Sequence, residues 1–196
     1  TRGREHIEYL KNRFQNVTNI EVDLTSVFET FKKIVPDGSD VDKLNLSLAN
    51  TRARLRMTTL YYFAGLHSLL VAGTGNKIED FGVGFYTKYG DGGVDLSPIA
   101  DLMKSEVHLL GSYLKIPESI LKASPTDGLF GDDRTDEDQL GASYAELEWA
   151  MLENEAGKSS DDFSGREKIV LDIYKRLNTI NQHKMTAIPV CFIPNE

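Results

Sequence analysis

The stretch Val71-Ala-Gly-Thr-Gly-Asn-Lys-Ile-Glu79 most constrains what this chain can fold into. An apolar run, Leu69 to Ala72, stops at a loop of small residues. That is how a buried parallel strand ends at the carboxyl edge of an open α/β sheet, where such folds bind ligands. The loop offers a hydroxyl (Thr74), an amide (Asn76) and a carboxylate (Glu79). A second, glycine-dense stretch, Thr87-Lys-Tyr-Gly-Asp-Gly-Gly-Val-Asp95, adds Lys88, Asp91 and Asp95, and Lys104 lies beyond it. Glycine suits backbone that turns with positive φ or approaches a ligand closely. Two such loops in close succession point to a ligand crevice rather than to surface turns.

Composition narrows the classes of function. A chain of 196 residues with 40% apolar and 27% charged residues can bury the core of one soluble domain. The net charge of −8 argues against a broad nucleic-acid-binding face, while leaving room for a local basic pocket that binds phosphate. No apolar run approaches the roughly 20 residues that cross a bilayer, so no membrane partner is expected. A single cysteine, Cys191, excludes an internal disulfide and suits a reducing, cytoplasmic compartment.

Periodicity gives a coarse map. Residues 3–15 read as an amphipathic helix, 19–24 as a strand (Ile20, Val22, Leu24) and 25–35 as a short helix. A long helix follows over 42–66, with a heavy apolar load and arginines at 52, 54 and 56 that serve at least two environments. Residues 69–73 form the second strand. Ser97-Pro98 starts a helix, or 98–102 is an irregular turn and the helix begins near Leu102; Leu109 and Tyr113 are expected to face inward. Gly131 to Arg134 is a polar, mobile loop. Thr135 and Asp138 resemble a capping box that opens one helix carrying Leu140, Tyr144, Leu147 and Met151 on one face. Ser164 and Glu167 form a second capping box ahead of Ile169, Ile173, Leu177 and Ile180. Two strands make too small a sheet to be stable alone. Further strands are expected before Thr1, or from another chain.

At Asn50-Thr-Arg-Ala-Arg-Leu-Arg-Met57, Gly73-Thr-Gly-Asn-Lys-Ile-Glu79 and Thr87-Lys-Tyr-Gly-Asp-Gly-Gly-Val-Asp95, the sequence resembles the ammonia-dependent NAD synthetases. The likeness continues through Ser124-Pro-Thr126 and Asp136-Glu-Asp-Gln-Leu-Gly141 to His183-Lys184, covering most of the chain from about Asn45. It implies an α/β fold, a parallel sheet flanked by helices, of the nucleotide-α-hydrolase-like (Rossmann-like) type, with residues 1–196 as the C-terminal part of one domain. It implies a ligase, a homodimer, that makes NAD from nicotinic acid adenine dinucleotide (deamido-NAD), ATP and ammonia, with AMP and pyrophosphate released. By the resemblance, Thr74, Lys104 and Thr126 contact ATP, and Glu79 ligates magnesium. Arg54, Lys88, Asp95, His183 and Lys184 contact the dinucleotide. The family's Ser-Gly-Gly-x-Asp-Ser pyrophosphate loop does not occur in this sequence. It is expected upstream of Thr1, so the chain alone is expected to be inactive.

The residue types fit amide formation. The substrate carboxylate attacks the α-phosphorus of ATP, pyrophosphate leaves, and ammonia opens the resulting mixed anhydride with loss of AMP. Negative charge gathers on phosphate oxygens, where placed cations do most of the work; Lys88, Lys104 and Lys184 are the candidates. Magnesium takes a carboxylate or two plus phosphate oxygens and water, a role for Glu79. Taken alone, Glu79 reads as a surface residue at a helix start, Lys104 as a solvated lysine and His183 as a polar residue near a helix end. Two alternatives stand beside the leading one: another ATP-pyrophosphatase that amidates a carbonyl, as GMP synthetase does, and a non-catalytic nucleotide-binding protein.

Overall fold

A computed structural model describes residues 2–36, 38–126, 128–129 and 135–194. The expected mobile loop at 131–134 lies outside the described residues. Three helices open the chain: α1 (Arg2–Arg13), α2 (Thr25–Ile34) and α3 (Val41–His67). The Asp40 carboxylate accepts from the Lys43 N–H at 3.1 Å and so starts α3. Ser68, left-handed at φ 54, ends it. The buried side chains of α3 are Ala49, Ala53 and Ala64, whereas Leu46, Leu60, Tyr62 and Leu66 are exposed. A π-type turn covers Ile78–Val83, followed by α4 (Lys104–Tyr113), α5 (Glu118–Leu121), α6 (Asp136–Leu140), α7 (Tyr144–Glu155) and α8 (Gly165–Met185).

The core lies where α7, α8 and the 78–83 turn meet. Ile78, Leu147 and Leu171 are fully buried there, with Val83, Val170 and Tyr174 beside them. Removing that much apolar surface from water is the main force holding the 78–83 turn to the helical layer. Two amides pin the junction: Asn178 Nδ2 donates to the Gly82 carbonyl and Asn181 Nδ2 to the Val83 carbonyl, each at 2.8 Å.

The structure corrects the sequence map in four places and shows part of the expected sheet. The expected parallel sheet reduces, among the described residues, to one isolated parallel bridge between Ala72 and Leu96. Gly73 N–H donates to Leu96 O at 2.7 Å and Asp95 N–H to Val71 O at 2.9 Å. Strand geometry requires a neighbour to pair backbone groups, and among the described residues 71–73 pairs with 94–96 alone. The expected strand at 19–24 is irregular, with Ile20 and Val22 exposed. The expected single helix after Thr135 is two, because Gly141 is left-handed (φ 80) and Ser143 starts a new capping box with Glu146. The Ser164 side chain makes no cap hydrogen bond, although α8 begins next to it. Residues 98–102 form turns, as the second of the two expectations had it, and α4 begins at Lys104, but Leu109 and Tyr113 are exposed rather than inward.

Candidate functional site

The site begins with one buried amide. Asn76 is 2% exposed, and its Oδ1 accepts from the N–H groups of both Ile78 (3.0 Å) and Glu79 (3.1 Å). That bond pair caps the π-type turn and fixes where Glu79 and Asp80 leave the backbone. Lys77 N–H donates to Leu102 O at 2.8 Å, which ties the turn to the segment leading into α4. Gly75 is a close approach: a Cβ there would lie 2.1 Å from Asp80 Oδ1.

Glu79 is the hub. Its Oε1 accepts from Lys104 Nζ at 2.9 Å and from the Tyr144 hydroxyl at 2.6 Å. The same hydroxyl lies 3.2 Å from Asp136 Oδ2, and Lys104 Nζ sits 4.6 Å from the centre of the Tyr144 ring. The Lys104 and Glu79 side chains are 21% and 16% exposed, so the pair is partly shielded from water and salt. Burial first, and then the negative charges of Glu79 and Asp136, push the Tyr144 phenol far above its ordinary pKa. It stays a proton donor.

The second loop is held from both sides. Thr87 N–H donates to Asp91 Oδ1 at 3.0 Å, and Thr87 Oγ1 donates to Asn50 Oδ1 of α3 at 2.6 Å. Tyr89 carries φ 62, a left-handed backbone unusual for a large side chain. Lys184 of α8 donates to the carbonyls of Gly84 and Tyr86, each at 2.8 Å. Burial lowers the pKa of Lys184, against the opposing pull of Asp91. Lys88 Nζ donates to the backbone carbonyl of His183, so the second loop and the end of α8 are tied directly. Burial, with Asp80 and Asp91, lifts the Tyr86 phenol to about 12.

Most of the residues singled out from sequence fall into three groups, and Thr74 and Asp95 stand apart from them. Lys104 and Thr126 line one cavity of about 560 Å³, together with Arg2, His6 and His108, and Glu79 grips Lys104 at its edge. Lys184 lines a second cavity of about 350 Å³ with Asn50, Tyr86, Thr87 and Asp91. Lys88 and His183 touch each other at the end of α8, and Arg54 reaches the Lys88 carbonyl with Nε and Nη2 at 3.4 Å. Thr74 is exposed on the 73–76 loop and lines neither cavity. Asp95 is engaged at both oxygens, by the Tyr61 hydroxyl at 3.0 Å and the Val71 N–H at 2.8 Å, where it joins α3 to the 71–73 segment.

Sequence reasoning missed Tyr144, reading it as one more apolar-face residue of a helix. Its signal was a tyrosine in place of leucine or phenylalanine, since a buried hydroxyl needs a partner. It also missed the tie between Asn50 and Thr87. Among the described residues no cluster of three or more His, Cys, Asp or Glu side chains is arranged to hold a metal. Glu79 still has chemistry to offer a cation. Both hydrogen bonds it accepts from described residues fall on Oε1, leaving the lone pairs of Oε2 available.

Comparison with known proteins places this geometry. Residues 4–187 match the family model described as NAD synthase. The NH(3)-dependent NAD(+) synthetase of Carboxydothermus hydrogenoformans is 37% identical over 169 residues, covering 86% of this chain and 65% of that protein. That of Picrophilus torridus is 47% identical over 135 residues, covering 69% of this chain and 51% of that protein. The chain therefore spans less than two thirds of the length of these relatives. Among solved structures, NMN synthetase from Francisella tularensis superposes with a TM-score of 0.76 at 29% identity, over 100% of this chain and 72% of that one. NH3-dependent NAD synthetase from Campylobacter jejuni, in complex with nitrate, gives 0.63 at 26% identity, over 87% of this chain and 64% of that one. The described residues share the fold of these synthetases.

Asp80 gives the site a pH signature. Desolvation first, and then the charges of Glu79 and Asp91, raise its pKa to about 6. An unfolded aspartate titrates near about 4. Between those values the folded protein binds more protons than the unfolded chain, so this group's contribution to stability falls as pH rises through that window. Asp80→Asn is expected to stabilise the protein near pH 7.5 by an amount on the order of 1 kcal/mol, after discounting for solvent screening. Near pH 4 it is expected to change little. Thermal melts at both pH values in cation-free buffer check this, and an equal shift at both would contradict it.

Proposed function

The chain belongs to the NAD synthase family, and on that premise we propose that it carries most of the active site of a ligase that makes NAD from deamido-NAD, ATP and ammonia. The observation that carries this reading is the Glu79–Lys104 pair at the edge of the cavity that Thr126 also lines. There a lysine and a hydroxyl face space of nucleotide size, with a carboxylate beside them. We assign Lys104, Thr126 and Thr74 to ATP. Arg54, Lys88, Asp95, His183 and Lys184 serve the dinucleotide, Asp95 also by holding 71–73 to α3.

In this reading the nicotinate carboxylate attacks the α-phosphorus and pyrophosphate departs. Ammonia adds to the carbonyl of the mixed anhydride, loses a proton, and AMP leaves. Lys104 stabilises the charge that develops on phosphate oxygens, and its pairing with Glu79 keeps the ammonium aimed rather than free to roam. Lys88 and Lys184 hold the second loop against α8, which excludes water from a hydrolysable adenylate. Magnesium fits at Glu79 as a partial ligand, one carboxylate with the remainder from phosphates and water, and would neutralise charge on the polyphosphate. The pairing of 71–73 with 94–96 supports a parallel sheet completed by strands outside the described residues. No helix among the described residues is long and apolar enough to cross a membrane; the cytoplasmic location we propose rests on the single cysteine, which suits a reducing compartment.

A second reading follows from the likeness to NMN synthetase: the acceptor is a mononucleotide and the product NMN. The identity of two of the NAD synthetases, 37% and 47%, favours the dinucleotide, although the Campylobacter jejuni NAD synthetase, at 26%, is no more similar in sequence than the NMN synthetase. Turnover of the full-length protein with ATP and ammonium, offered each deamidated nucleotide in turn, separates the readings by product. Formation of NAD, AMP and pyrophosphate in equal amounts is expected. In that assay Lys88→Ala is expected to weaken dinucleotide binding by roughly 1.5–3 kcal/mol, the cost of a lost charge-assisted bond. Glu79→Gln is expected to raise the magnesium requirement and slow adenylation while dinucleotide affinity holds. Loss of dinucleotide affinity in Glu79→Gln, with normal magnesium dependence, would reverse the assignment of the two loops.

We also propose that α3 pairs with its copy in a homodimer. Leu46 (54% exposed), Leu60 (55%), Tyr62 (64%) and Leu66 (60%) leave more apolar surface open than a solvated helix carries. The full-length protein is expected to show a dimeric mass by light scattering at micromolar concentration. A monomeric mass would remove this interface.

A further inference from the structure

We propose that Tyr144 is a positioning residue of the nucleotide site: its phenol holds Glu79 by one oxygen while its ring carries Lys104. This inference rests on the functional reading above and adds a residue to it. Tyr144 is 5% exposed and packs in the α7–α8 core, where a phenylalanine would serve equally well for packing alone. A hydroxyl taken out of water is costly unless bonded, and here it reaches 2.6 Å to Glu79 and 3.2 Å to Asp136. A phenol has one proton to give, and the shorter contact assigns it to Glu79.

The consequence is geometric. A glutamate side chain has three rotatable bonds and samples many directions when held at one point. The Tyr144 hydroxyl and Lys104 Nζ converge on the same oxygen, Oε1, from different elements, α7 and α4. Oε1 is thereby saturated and Oε2 is the oxygen offered to a cation. The face of the ring does the second half of the work. Lys104 Nζ lies 4.6 Å from its centre, within range of cation–π attraction. The lysine is therefore steadied by a carboxylate and an aromatic face together, and its remaining N–H groups are left for phosphate oxygens. Tyr144 itself is steadied from behind, where its backbone N–H donates to Glu137 Oε1 at 2.9 Å.

Two variants divide the hydroxyl from the ring. Tyr144→Phe keeps the ring and its packing, and Tyr144→Leu removes the ring. The probes are Mn²⁺, followed by electron paramagnetic resonance, and a non-hydrolysable ATP analogue, followed by calorimetry, both on the full-length protein with thermal melts as the folding control. Tyr144→Phe is expected to weaken Mn²⁺ binding to the analogue-bound protein by about tenfold, as loss of a group that orients a metal ligand does. Its affinity for the analogue alone is expected to stay within about twofold, because the ring beneath Lys104 remains. Tyr144→Leu is expected to lose analogue affinity as well. A role confined to core packing would move the melting temperature and leave the metal titration unchanged. Unaltered Mn²⁺ affinity in a folded Tyr144→Phe overturns the proposal. Analogue affinity in Tyr144→Leu equal to that of Tyr144→Phe overturns the ring's part in it. Unaltered Mn²⁺ affinity in Glu79→Gln shows instead that the metal reading of Glu79 fails, and the hydroxyl's role falls with it.

Discussion

The side-chain amide of Asn76 sets the geometry on which the site depends. Buried to 2% exposure, it closes the turn by accepting from two successive backbone N–H groups. A capping bond of this kind is worth about 1–2 kcal/mol, more than most exposed ion pairs in the molecule, such as Arg4–Glu21, return. Without it the carboxylates of Glu79 and Asp80 would leave the backbone in other directions. Glu79 would then lose the two donors that converge on it from α4 and α7.

From that turn outward, charge is arranged in alternating layers. Glu79, Asp80 and Asp91 form an acidic cluster beside the turn; burial first, and then charges of this cluster, raise the pKa of Asp80 to about 6 and of Tyr86 to about 12. Lys104 answers it on one side, and on the other Lys184 sits among backbone carbonyls. Cations held in this way are already oriented before an anion arrives. That is the preorganisation on which electrostatic catalysis of phosphoryl and adenylyl chemistry relies. The apolar contacts of α7 and α8 supply the rigidity, because the turn that bears Glu79 is itself part of the core through Ile78 and Val83.

The sequence made the site more legible than the fold. Small residues after an apolar run located the 73–79 loop, and the glycine-dense stretch located the loop that carries Lys88. Helix α3, expected over 42–66, emerged close to its true bounds because its apolar load is heavy, whereas α8 runs on through 182–185 beyond its last periodic residue, Ile180. The π-type turn at Ile78–Val83 was not legible, since its cap is a buried asparagine that on paper resembles any loop amide. The break between α6 and α7 depended on one left-handed glycine, Gly141, set inside an otherwise continuous helical pattern. Tyr144 lay hidden for a related reason. Periodicity reports that a side chain is buried but not that its polar tip is bonded, and only the fold brings residues 79, 104, 136 and 144 together. The 19–24 segment has the alternation of a strand, yet alternation cannot supply the neighbour that pairing requires.

The most direct test of this account is the affinity of the full-length protein for a non-hydrolysable ATP analogue in Asn76→Ala, measured by calorimetry at a temperature where the variant remains folded. The substitution removes the cap and alters none of the residues assigned to ATP, Lys104, Thr126 and Thr74. If the capped turn organises the site, affinity is expected to fall about tenfold or more, the equivalent of about 1.4 kcal/mol or more. Affinity equal to that of the unaltered protein would contradict the account, because Glu79 and Lys104 would then be holding their places without the turn that is said to place them.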